Sequence, residues 1–153
     1  MNLNVSRRKA LTIGAGALAA AAYGGSILPA LAAKNDAEAL IKTFTGGKKT
    51  VDGKIRLDMP EIAENGNTVP MGVSVESPMT EQSYVKQVLI VADGNPRAGV
   101  ATFRFSPASG AAEATTRIRL ASTQNVIAVA EMSDGTFYTT TKEVKVTIGG
   151  CGG

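Results

Sequence analysis

Gly149-Gly150-Cys151-Gly152-Gly153 sets the only cysteine of the chain between two pairs of glycines. A thiolate is a strong nucleophile that forms and breaks bonds to other sulfur atoms. Glycine removes side-chain bulk and widens backbone freedom. The spacing therefore predicts a thin, flexible arm in which Gly149, Gly150, Gly152 and Gly153 serve Cys151. Five extended residues span roughly 17 Å at about 3.3 to 3.6 Å each, enough to carry a sulfur into a pocket on another protein. A free cysteine titrates at about pH 8.5, so only about a few per cent is thiolate at pH 7. Nothing in the pentapeptide lowers that value. Cys151 thus reads as a carrier group activated inside other proteins' sites, with no catalytic residue of its own chain. The competing use is an intermolecular disulfide linking two copies.

The rest of the composition narrows the chemistry. The sequence has no histidine, which excludes a Ser-His-Asp triad, a Cys-His pair and a histidine-bound metal. One cysteine cannot form an internal disulfide or a thiolate cluster. The expectation is a protein with no metal ligand set and no cofactor on this chain.

The opposite end indicates where the thiol works. Arg7, Arg8 and Lys9 form a basic stretch, followed by an uncharged Ala- and Gly-rich run from Thr12 to Ala33. Ala30-Leu31-Ala32 supplies small residues at alternate positions for a signal peptidase. The paired Arg7 and Arg8 resemble a twin-arginine export signal, although Ala10 stands where a bulkier apolar residue is usual, so the general secretory route remains an alternative. The run could also span a bilayer, but Gly24-Gly25 and the small-residue exit favour cleavage near Ala32 or Ala33. The expected mature protein is periplasmic and holds no membrane segment. Three of the 16 Lys and Arg lie in this segment and no acidic residue precedes Asp36, so the remainder carries 13 basic and 13 acidic residues. That balance gives no basis for nucleic-acid binding. Roughly 120 residues remain, one ordinary domain with a single core.

Between the two ends the pattern is mainly β. One helix is expected over Asp36–Thr45, capped by Asp36 and ended by Gly46-Gly47. Strands are expected over 54–58, 68–76, 84–92, 100–105, 114–121, 126–132 and 137–148, separated by turn signals such as Asp93-Gly94-Asn95-Pro96 and Ser133-Asp134-Gly135. Pro60 to Asn67 reads as a connection. About seven short strands at regular spacing predict an immunoglobulin-like antiparallel β-sandwich. The domain limits are then 1–32 for the signal, 33–148 for the sandwich and 149–153 for the arm. The last strand alternates well up to Ile148 and gives way at once to glycine, so a rigid element aims the arm. Lys142 and Lys145, the nearest charges, read as a solvated strand face, and Arg117 and Arg119 as surface or partner contacts.

The GGCGG segment, the export signal, Ile62-Ala63-Glu64-Asn65-Gly66 with Val69-Pro70, Thr116-Arg117-Ile118-Arg119-Leu120-Ala121 and Val144-Lys145-Val146-Thr147 together resemble the SoxY family. This is the sulfur-carrier family of the periplasmic thiosulfate-oxidising (Sox) system. The resemblance implies that Cys151 holds S-thiosulfonate, persulfide and S-sulfonate intermediates in turn. It also implies a heterodimer with a SoxZ-like subunit. A haem cytochrome complex, a metal-dependent sulfohydrolase and, where the system includes it, a molybdenum- and haem-containing sulfur dehydrogenase would act on the arm. Two other functions compete with it. A ubiquitin-like sulfur carrier would hold sulfur on a terminal glycine and need ATP. A structural exported sandwich would leave the glycines around Cys151 without purpose.

Overall fold

Nine strands form two sheets in the computed structural model, which describes residues 35–149. The signal segment and residues 150–153 lie outside the described residues. In chain order the elements are α1 (Ala37–Thr45), β1 (Thr50–Asp52), β2 (Ile55–Asp58), β3 (Ile62–Asn65), β4 (Val69–Val75), β5 (Val85–Ala92), β6 (Gly99–Arg104), a 3-10 turn (Pro107–Ser109), β7 (Ala112–Ile118), β8 (Gln124–Met132) and β9 (Phe137–Ile148). The larger sheet runs β1-β9-β8-β5-β6, with β3 also paired to β9. The smaller sheet runs β2-β4-β7.

The core follows from period-two patterning. Val69, Met71, Val73 and Val75 turn inward from β4, and Val88, Ile90, Val126, Ala128, Ala130 and Val144 meet them from the larger sheet. β5 is apolar on both faces because α1 covers the outer one. Leu89 and Val91 of β5 form a second cluster with Ala37, Leu40, Ile41 and Phe44. Phe44 meets Phe137 edge-on, with ring centroids 5.9 Å apart.

The expected mainly-β sandwich with one short helix is what the chain forms, with differences of detail. There are nine strands among the described residues where about seven were expected. The additions, β1 and β3, are three and four residues long. Too short to show alternation, they exist by pairing with β9, and both pair in parallel. The sandwich is therefore not wholly antiparallel, and the segment read as a Pro60–Asn67 connection contains β3. β7 starts at Ala112, because it pairs with Val75, and ends at Ile118, short of Ala121. Asp36 occupies the helix N-cap position but makes no side-chain cap. Its Oδ1 instead accepts the Ala98 amide at 3.1 Å, while Asn35 Oδ1 accepts that of Ala37. Gly46, at φ 61°, closes the helix by donating to Lys42 and Thr43 carbonyls, as its residue type predicts.

Candidate functional site

The structure describes the chain up to the first glycine of the segment that holds Cys151. Gly149 is the last described residue. Gly150, Cys151, Gly152 and Gly153 lie outside the described residues, as do Arg7 and Arg8.

β9 runs past the body that supports it. Its antiparallel partner β8 begins at Gln124, opposite Val144. Beyond that point β3 takes over on the other edge, with Ile62, Ala63 and Asn65 in register with Lys145, Val146 and Ile148. Burial falls along one face as the strand leaves the sandwich: Val144 is fully buried, Val146 half-buried and Ile148 69% exposed. Hydrogen bonds replace hydrophobic support here. Thr123 Oγ1 accepts the Val146 amide at 3.0 Å, and Thr147 Oγ1 donates to the Glu64 carbonyl at 3.0 Å. The Ile148 carbonyl accepts from Gly66, and the Gly66 carbonyl from Leu120, each at 2.8 Å.

Gly149 then meets the chain following β7. A Cβ added there would lie 2.3 Å from the Ala121 carbonyl oxygen, far inside van der Waals contact. That carbonyl has little room to yield, because its segment is fastened from three sides. The Ala121 amide donates to Asn95 Oδ1 at 2.9 Å, and Asn95 Nδ2 donates to the Arg119 carbonyl at 2.9 Å. Gln124, only 5% exposed, donates from Nε2 to Asn95 Oδ1 and the Ser122 carbonyl, both at 3.0 Å. Its Oε1 accepts the Gly94 amide at 2.8 Å. A Cβ at Gly94 would come 2.8 Å from that of Gln124, so this contact also requires glycine. A buried amide side chain with its polar atoms satisfied makes a stiff support.

The charges near the arm base separate into two kinds. Lys142 is half-buried and its Nζ donates to the Met59 carbonyl, so it braces the β2–β3 connection. Lys145 is exposed. Arg117 and Arg119 are exposed and line a groove of about 310 Å³ between β6 and β7. Among the described residues no group of three or more His, Cys, Asp or Glu is placed to hold a metal ion. None of their helices is long and apolar enough to cross a membrane.

Sequence reasoning singled out the glycine segment but missed the packing around Gly149. Gly66, Asn95, Ala121 and Gln124 carry no chemical signature, and they act through backbone approaches between segments distant in the chain. The Asn95 turn signal was visible. Its second use, holding the 119–122 segment, was not.

Fold and site define a class: a small β-sandwich whose last strand leads, at Gly149, into the glycine segment that contains Cys151. The family model for the sulfur oxidation protein SoxY matches residues 41–151, a span that includes Cys151. The chain belongs to the SoxY family. Among solved structures, it is 31% identical to the sulfur carrier protein SoxY from Chlorobium limicola f. thiosulfatophilum, with a TM-score of 0.62 over 72% of this chain and 96% of that one. The superoxide reductase (neelaredoxin) from Ignicoccus hospitalis is 17% identical over 61% of this chain and 80% of its own, with a TM-score of 0.55. The superoxide reductase from Nanoarchaeum equitans is 14% identical over 63% of this chain and 98% of its own, with a TM-score of 0.53. At those identities the likeness to the reductases concerns the fold alone. No curated protein matches the sequence.

Proposed function

We propose that this chain carries sulfur intermediates of thiosulfate oxidation covalently on Cys151 and presents them to partner enzymes. The observation that carries this reading is the family match, which runs through the single cysteine set between glycines. The chemistry closes at each step. Joining the Cys151 thiol to thiosulfate gives Cys–S–S–SO₃⁻ and releases one proton and two electrons, which a haem cytochrome complex accepts. Hydrolysis by a metal-dependent sulfohydrolase releases sulfate and two protons and leaves the persulfide Cys–S–S⁻. Oxidation of the outer sulfur to Cys–S–SO₃⁻ takes three waters and delivers six protons and six electrons to a molybdenum- and haem-containing dehydrogenase. A second hydrolysis returns sulfate, one proton and the free thiol.

The role of this chain is mechanical and protective. Gly149 fixes where the arm starts, and Gly150 and Gly152 keep it narrow beside the sulfur, so that Cys151 enters a partner's cleft while the sandwich stays outside. The absence of histidine suits a thiol that stays mostly protonated until a partner activates it. The working form is a heterodimer with a SoxZ-like subunit in the periplasm, exported through the signal that holds Arg7 and Arg8. Replacing Cys151 with Ser is expected to abolish thiosulfate-dependent electron release in a reconstituted system, with unchanged circular dichroism and partner binding. Turnover retained by Cys151→Ser rejects the carrier reading.

A further inference from the structure

Asn65-Gly66 is the one place in the sequence where an asparagine precedes a glycine. Asparagine is thermolabile because the next residue's backbone nitrogen can attack its carboxamide and close a succinimide ring. Glycine speeds that attack, since it has no side chain to block the approach and the widest backbone freedom. The structure holds the two reacting groups of this pair in opposite states.

The electrophile is primed. Asn65 is exposed, and its Oδ1 accepts the Asn67 amide at 2.9 Å. Attack at Cγ puts negative charge on that oxygen, where the donated hydrogen bond stabilises it. The nucleophile is locked. Gly66 is buried, and its amide donates to the Ile148 carbonyl at 2.8 Å. Its carbonyl accepts from Leu120 at 2.8 Å, so the peptide units on both sides of Gly66 are held. The lock sits where β9 has run past β8, which pairs with it only as far as Val144. Ile148, the residue that closes it, is 69% exposed. A strand end with so little buried surface opens locally far more often than a core strand does.

We propose that Asn65-Gly66 is a self-modification site latched by the end of β9. When that end lifts, the Gly66 nitrogen bonds to Asn65 Cγ, the Cγ–Nδ2 bond breaks, and ammonia leaves with the amide proton. Water then opens the ring at either carbonyl, giving aspartate or isoaspartate at position 65. No electrons are exchanged, and water is the sole co-reactant. Isoaspartate adds a main-chain carbon just before Gly66. β3 then cannot keep Ala63 opposite Val146 while Gly66 reaches both Ile148 and Leu120. The latch does not reclose, so the reaction runs one way and records how long the strand end has stood open. This inference is independent of the carrier reading, whose failure shows as turnover retained without Cys151.

Incubation of the protein at mildly alkaline pH tests it, with peptide mapping for the amide-to-acid mass gain and enzymatic methylation for isoaspartate. Modification at residue 65 is expected in the chain unfolded by guanidinium chloride, and at least about tenfold more slowly in the folded protein. Asn65→Ser is expected to lack the product. Below the unfolding transition, added guanidinium chloride is expected to raise the modification rate in step with hydrogen exchange at the Gly66 amide. In the isolated isoaspartate form, the Gly66 and Leu120 amides are expected to exchange faster while those of β5 and β8 stay protected. Equal rates in folded and unfolded chains, or modification that stays slow while Gly66 exchange rises, overturn the latch. An isoaspartate form with native exchange at Gly66 and Leu120 overturns the one-way step.

Discussion

Gly149 answers to two demands. It opens the glycine segment around Cys151, and it lies so close to the Ala121 carbonyl that any Cβ would stand 2.3 Å from the oxygen. The approach is closer than the 2.8 Å at Gly94, and the atom met is backbone. A flexible side chain could swing aside, but a carbonyl whose segment is fastened by Asn95 and Gln124 cannot move cheaply. Overpacking of this kind costs about 1–3 kcal/mol. Gly149→Ala is expected to relieve the clash by lifting the end of β9, since Ile148 is mostly exposed there. The Gly66 amide, which donates to the Ile148 carbonyl, reports that opening. Its hydrogen exchange should accelerate roughly tenfold or more while amides of β5 and β8 stay protected. Unchanged exchange at Gly66 would show that the contact imposes no constraint. One cysteine, no histidine and four glycines made the segment stand out in the sequence. It could not show the constraint on Gly149, because a close backbone approach leaves the same letter as chain flexibility.

β9 concentrates the architecture of this protein in one element. Twelve residues long, it pairs with β8 along its first two-thirds and with β1 and β3 on its other edge. Its limits were readable from alternation and from the Ser133-Asp134-Gly135 turn. β3 was hidden, because Ile62–Asn65 has no pattern of its own and meets β9 more than eighty residues later. The far end of β8 is tied to β5 by charge. Lys86 Nζ donates to Glu131 Oε1 at 2.6 Å, and Gln87 Nε2 donates to Oε2 at 2.7 Å. Burial pushes the Glu131 carboxyl up, but the hydrogen bonds from Lys86 and Gln87 and the lysine charge outweigh it and hold the group below its usual value. The hydrogen bond and charge of Glu131 raise Lys86 above its own. A depressed carboxylate stabilises the fold above its unfolded value and loses that effect as pH falls through the folded one. A raised lysine stabilises below its unfolded value and loses that effect as pH rises through the folded one. The coupling between Lys86 and Glu131 should therefore be constant from roughly pH 5 to pH 10 and decline on either side. A Lys86→Met, Glu131→Gln double-mutant cycle in urea checks it, and a coupling that ignored pH below 4 would contradict the assignment.

At the scale of the whole molecule, the sandwich is a packed body, and the proposed function assigns the chemistry to a few residues beyond it. Fold class was legible because strand length, turn signals and one helix agree with each other. Val88 to Ala92, apolar on both faces, marked the strand that lies under the helix. The groove between β6 and β7 was not legible, since it depends on which sheet edges remain unpaired, a property of topology that no local pattern encodes. Arg117 and Arg119 were visible as charges on one side of a strand, but their shared groove with Asn95 came only with the packing of β6 near β7. The family match covers residues 41–151, so body and cysteine belong to one design.

The central claim is that Cys151 is loaded with sulfur during turnover. Intact-mass spectrometry of the protein taken from cells respiring thiosulfate, followed by analysis of the peptide holding Cys151, measures this directly. The account predicts mass gains of one sulfur atom or of a thiosulfate group on that peptide, sensitive to reducing agents and absent from cells grown without thiosulfate. A bare thiol throughout, or a disulfide-linked dimer as the sole modification, would contradict it.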